Sequence, residues 1–239
     1  MQILGPSCIP LYRVLCDQNF ETAFRSLIQG TLIPFVFTHP LNLSSVVVHH
    51  MLYKSAGILH CNLNTSSLMV SKDSLTCGIL LDLDFALQVQ DGDEALLPEP
   101  TLSGTLPFLS MDLLTTTGPP PPRLYRHDLE SFFYILGWML CRYDASGECK
   151  LQHQFAVWHR GPLDDIISAK WRFMRVPSHI PSERSSPSLQ KWLRNLCRIF
   201  NTGYQEKDRD LQNPLFNHET LGGYVTFDRF MGAARQMTS

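Results

Sequence analysis

Residues 128–141 constrain the fold more than any other stretch of this sequence. Leu129, Phe132, Phe133 and Leu136 recur there at i, i+3, i+4 and i+7, the period of an α-helix. Tyr134, Ile135 and Trp138 fill the faces in between, so the predicted helix is apolar nearly all round. Such a helix belongs at the centre of a core, with other elements covering every side. The chain has the means to cover it. Its 239 residues are 44% hydrophobic and 18% charged, which fits one large domain or two small ones and excludes a disordered polyelectrolyte.

The covering elements can be read from the same periodicity. Residues 19–29 place Phe20, Phe24, Leu27 and Ile28 at helical intervals behind the N-cap candidate Asn19. Residues 44–54 put Val47, Met51 and Leu52 on one face, and Gly57 stands where a C-cap glycine belongs. Two further amphipathic helices are predicted at 163–174 and 188–200, and a short last one at 227–237. The apolar runs 68–70 and 78–83, separated by the turn-like 71–74, read as paired strands. Between these elements lie an irregular insertion at 30–43 and an acidic loop at 91–100. An extended stretch at 115–122 holds four consecutive prolines, and a Ser/Pro-rich linker spans 177–187. Ser182, Ser185, Ser186 and Ser188 read as solvated linker or as phosphate acceptors. The predicted fold is mainly α, with a small β-hairpin.

Charge and cysteine usage exclude several partners. Twenty Lys+Arg against 22 Asp+Glu give a net charge of −2 and no basic stripe, which sets aside nucleic acid and membrane surfaces. The seven cysteines are odd in number and include no C-x-x-C pair, against a disulfide framework or a zinc site. Gly5, Pro6 and Pro10 break residues 1–15, so no signal peptide is expected, and the apolar run 31–37 is too short to span a bilayer. A cytoplasmic or nuclear location is expected.

Four motifs then stand in order. His60-Cys61-Asn62-Leu63 with Ser67 resembles the H-R-D-L-x-x-x-N loop of protein kinases, and Asp82-Leu83-Asp84 resembles their magnesium-binding D-F-G. Gly104-Thr105-Leu106-Pro107-Phe108 resembles the end of the activation segment. Arg126-His127-Asp128-Leu129-Glu130-Ser131-Phe132-Phe133 resembles the start of the central large-lobe helix, in wording close to the fungal-type protein kinase domain family. The resemblance implies a large lobe over 19–239, with 1–18 a remnant of the inter-lobe segment and the small lobe absent. No G-x-G-x-x-G is found, and Lys54 alone precedes His60 as a lysine.

Within the resemblance, each residue carries an implied role. Asn62 stands at the catalytic aspartate, Ser67 at the second metal ligand and Cys61 at the arginine that reads phosphorylation, whereas His60, Asp82 and Asp128 are retained. Asp128 is expected to cap its helix and to accept from the backbone of the catalytic loop. Each also has a plainer reading: Asp82 and Asp84 as two acids at a strand end, His60 as a packed core histidine, Asp128 as an ordinary cap. The residues together imply an impaired kinase, a pseudokinase or a truncated product, acting through a protein partner and needing no cofactor. The alternative is an active Ser/Thr kinase using ATP and Mg²⁺. Around the loop and residues 80–85, apolar side chains are expected to lie uncovered unless a partner, a second copy or the 30–43 insertion occupies them.

Overall fold

The structure, a computed structural model, describes residues 7–15, 18–29, 49–89, 104–114, 121–142, 155–176, 186–210 and 213–235. Its helices are α1 (Phe20–Gln29), α2 (His49–Ala56), α3 (Tyr125–Arg142), α4 (Ala156–Arg160), α5 (Leu163–Arg175), α6 (Pro187–Arg209) and α7 (Phe227–Arg235). Among the described residues five short strands accompany them: β1 (Cys8–Pro10), β2 (Ile58–Leu59), β3 (Leu68–Ser71), β4 (Gly78–Leu80) and β5 (Leu87–Gln88). The molecule is mainly helical. The insertion 30–43, the acidic loop 91–100, residues 115–120 of the proline stretch and 177–185 of the linker lie outside the described residues.

Helix α3 is the axis of the core, and every residue of it from 126 to 141 is buried. Phe24 of α1 meets Phe132 edge-on at 6.1 Å, and Phe200 of α6 stacks on Phe133 at 4.8 Å. Trp158 of α4 lies edge-on to Tyr134 at 5.2 Å. Helix α5 closes in at Gly137, where a Cβ would come within 2.4 Å of the Phe173 ring. Helix α7 is tied to α6 by two side chains that satisfy its carbonyls, Trp192 Nε1 to Phe230 O (3.1 Å) and Asn195 Nδ2 to Ala233 O (2.9 Å).

Helix boundaries follow their capping chemistry. Ser186 Oγ accepts from Leu189 N–H and Pro187 holds the first helical position of α6, which runs to Arg209 rather than ending near 200. Helix α3 begins at Tyr125, so Asp128 sits in its first turn and is not the cap that sequence reading assigned. His127 Nδ1 instead reaches back to accept from Leu124 N–H (3.1 Å). Gly57 ends α2 at φ +62°, with its N–H on Tyr53 O (2.9 Å). A Cβ there would come within 2.2 Å of Val89 O, so this glycine also lets the chain after β5 pass.

The predicted hairpin is present as β3 and β4, antiparallel with Met69 opposite Ile79. A third strand, β1, pairs with the other edge of β3, Ile9 opposite Val70. Strand β4 stops at Leu80 rather than running to 83, because the chain turns away and Asp82 takes φ +66°. Strands β2 and β5 form a separate antiparallel pair that brackets the loop 60–67 and the Asp82 turn. Among the described residues no helix is long and apolar enough to cross a membrane.

Candidate functional site

The loop 60–67 connects β2 to β3 and is held from beneath by Asp128. One carboxylate oxygen of Asp128 accepts from His60 N–H (2.7 Å) and from His49 Nε2 (2.8 Å), and the other accepts from Cys61 N–H (3.1 Å). Burial acts to raise the pKa of this carboxyl, but the hydrogen bond from His49 and the donors of the loop outweigh it and hold the group below its ordinary value. Cys61 takes φ +65°, an uncommon conformation for a residue other than glycine, and the two bonds to Asp128 hold the loop there. Burial pushes its thiol up to about 12, so it is no nucleophile at neutral pH.

His49 was not singled out from the sequence. Its ring is fully buried between Tyr125 (5.0 Å, stacked) and Phe132 (5.2 Å, edge-on), and it completes the set of three donors around Asp128. The available signal was a histidine one helical turn before the apolar Leu52, on the helix that leads into the loop.

His60 packs and bonds, as the plainer reading expected. Its Nε2 donates to Leu81 O (2.9 Å) and its Nδ1 accepts from Asn62 N–H (3.3 Å), which sets a neutral tautomer. Burial lowers its pKa in keeping with that. The imidazole thus ties the loop to the residue just before Asp82.

Asn62 brings three segments together. Its Nδ2 donates to Asp82 Oδ2 (3.4 Å), and its Oδ1 accepts from Thr105 Oγ1 (3.0 Å). Gly104, at φ +123°, lets Thr105 come this close, since a Cβ at 104 would stand 3.1 Å from Cys61 O. Asp82 and Asp84 are both exposed.

Ser67 does not join them. Its buried hydroxyl donates to Asn64 O (2.9 Å) and accepts from Asn64 N–H (3.0 Å), closing a local turn that the Asn64 side chain completes from Ser66 and Ser67 N–H. Mg²⁺ wants near-octahedral oxygen ligation built on carboxylates. Here one candidate oxygen is committed to backbone and the Asp82 carboxylate already holds an amide, so the donor set does not fit that ion. Among the described residues no group of three or more His, Cys, Asp or Glu is placed to hold a metal.

The segment 104–114 is anchored by a buried polar network that sequence reading did not assign. Glu130 receives Ser110 Oγ (2.6 Å), Met111 N–H (2.9 Å), Tyr134 OH (2.7 Å) and Tyr204 OH (2.7 Å). Lys170 of α5 donates to Leu109 O and lies over the rings of Tyr134 (4.1 Å) and Trp158 (5.4 Å). Asp112 pairs with Arg126 and with Lys207 (2.6 Å). Burial raises its pKa, yet the two cations prevail and hold it at about 2. A buried acid requires partners of this kind, and the signal that could have pointed to them was Glu130 set between the apolar Leu129 and Phe132.

Next to Asp82, Leu81 and Phe85 are 40% and 50% exposed. A cleft of about 910 Å³ lies elsewhere, lined by Tyr53, Arg123, Tyr125, His218 and Phe227 among others and by no residue of 60–67 or 81–85.

In comparison with known proteins, residues 43–140 match the family described as fungal protein kinase. That stretch runs through α2, the loop, the hairpin and the 104–114 segment into α3. No curated protein matches the chain.

Proposed function

We propose that this chain, whose residues 43–140 are of the fungal protein kinase type, is a kinase-like domain impaired in phosphoryl transfer that works as a protein-interaction module. The observation that carries this reading is the side chain at position 62. Protein phosphorylation uses a carboxylate there to orient the attacking hydroxyl and accept its proton. Asn62 offers a neutral amide that takes no proton, and both ends of it are engaged, by Thr105 and by Asp82. General acid–base catalysis contributes about 10²–10⁴-fold, and that share is what the substitution removes. The interaction role is supported by Leu81 and Phe85, two large apolar side chains left exposed beside the same loop.

The test uses the full chain with labelled ATP, Mg²⁺ and a generic protein acceptor, with D82N as the background control. No transfer above D82N is expected. Millimolar ATP with Mg²⁺ should also leave the melting temperature unchanged, since a ligand at a hundredfold excess over its Kd would stabilise the native state by about 2.7 kcal/mol. Transfer that disappears in D82N would overturn the reading in favour of an active Ser/Thr kinase.

A further inference from the structure

We propose that the Asn62 amide takes the place of a divalent cation, joining the loop 60–67, the Asp82 turn and the 104–114 segment by hydrogen bonds, so that this site assembles without metal. The inference rests on the reading of positions 62 and 82 given above. An ionised Asp82 can only accept, so the amide nitrogen must face it and the amide oxygen must face Thr105, the arrangement observed. The polarity of the bridge is therefore set by the one charge it touches.

A carboxylate at 62 would reverse this. Its oxygen would occupy the place of the nitrogen, 3.4 Å from Asp82 Oδ2, and set two like charges against each other. The Asp82 turn has little room to yield. Leu81 N–H is bound to Ser67 O (2.9 Å), Leu81 O to His60 (2.9 Å), and Asp82 itself stands at φ +66°. Two carboxylates held on these backbones repel, and a cation between them relieves that repulsion, whereas a carboxylate and an amide attract without one. Ser67, which would have completed a metal site, is correspondingly spent on the Asn64 turn.

The experiment compares wild type, N62D and the exchange variant N62D/D82N by thermal melting in EDTA and in millimolar Mn²⁺. Mn²⁺ binding is followed separately by water-proton relaxation. In the exchange variant the carboxylate at position 62 accepts and the amide at position 82 donates, the net charge is unchanged, Thr105 keeps its acceptor, and asparagine tolerates the left-handed backbone at 82. In EDTA, N62D should melt lower than wild type by about 2–4 °C, the scale of one interaction in a chain of this size, and the exchange variant should recover that loss. Mn²⁺ should bind N62D and restore its melting temperature while leaving the other two unmoved. The proposal fails if N62D melts like wild type in EDTA, if the exchange variant melts no higher than N62D, or if Mn²⁺ raises wild type as much as N62D. Should N62D not fold, a folded exchange variant supports the bridge and an unfolded one overturns it. Phosphotransfer by wild type would refute the impaired-kinase reading without altering these melting temperatures, so the two failures are distinguishable.

Discussion

At the scale of single residues, Asp128 does the most. It is buried and satisfies three donors from two other segments. In D128N the amide can accept with only one oxygen, so at least one buried donor is orphaned, at about 1–3 kcal/mol. Urea denaturation at neutral pH should show that loss. Because the folded carboxyl is held below its unfolded value, its stabilisation is present above the ordinary carboxyl range and is lost as pH falls through the folded value. The gap between wild type and D128N should accordingly narrow in acid; a gap that stays constant would mean that the carboxylate charge is not what the loop requires. The positions of His60, Asn62, Asp82 and Asp128 were legible because motif order carries them. The loop-holding role of His49 and the withdrawal of Ser67 were not, since one depends on a partner 79 positions away and the other on a turn closed by Asn64.

Among the elements, α3 was legible from its period alone, and the β3–β4 hairpin from two apolar runs around a turn. Strand β1 was not: three residues ending in Pro10 show no alternation, and only the free edge of β3 makes them a strand. The docking of α5 was equally invisible, because it depends on Lys170, a cation within a buried aromatic setting. Burial lowers its pKa to about 7 against the opposing pull of Glu130. An unfolded lysine keeps its proton to about 10.5, so between pH 7 and 10.5 the unfolded chain binds more protons and stability should rise with pH. Below 7 the desolvation penalty is fully present. Tyr134 and Tyr204, which share this network, are raised well above their ordinary value by burial, and because K170M keeps both, their contribution cancels in a comparison with that variant. Relative to K170M, wild type should therefore gain stability from pH 7 to 10, by at most about 1.4 kcal/mol per pH unit. Parallel curves for the two proteins would sink this account of Lys170.

For the whole molecule, the uncovered side chains beside the loop should be measurable. Leu81 and Phe85 predict that the purified protein self-associates or binds a hydrophobic dye near the native state, and that L81S/F85S reduces either effect. A monodisperse wild type that binds no dye would leave the interaction module without a surface at this site. The arrangement of the core has a different consequence, for synthesis. Helix α3 precedes α6 and α7 in the chain, yet part of its cover comes from α6 and, behind it, α7, so α3 leaves the ribosome before that cover exists. Throughout that interval the nascent polypeptide carries an apolar rod whose final cover has not yet been made, a surface prone to aggregation until α6 and α7 emerge.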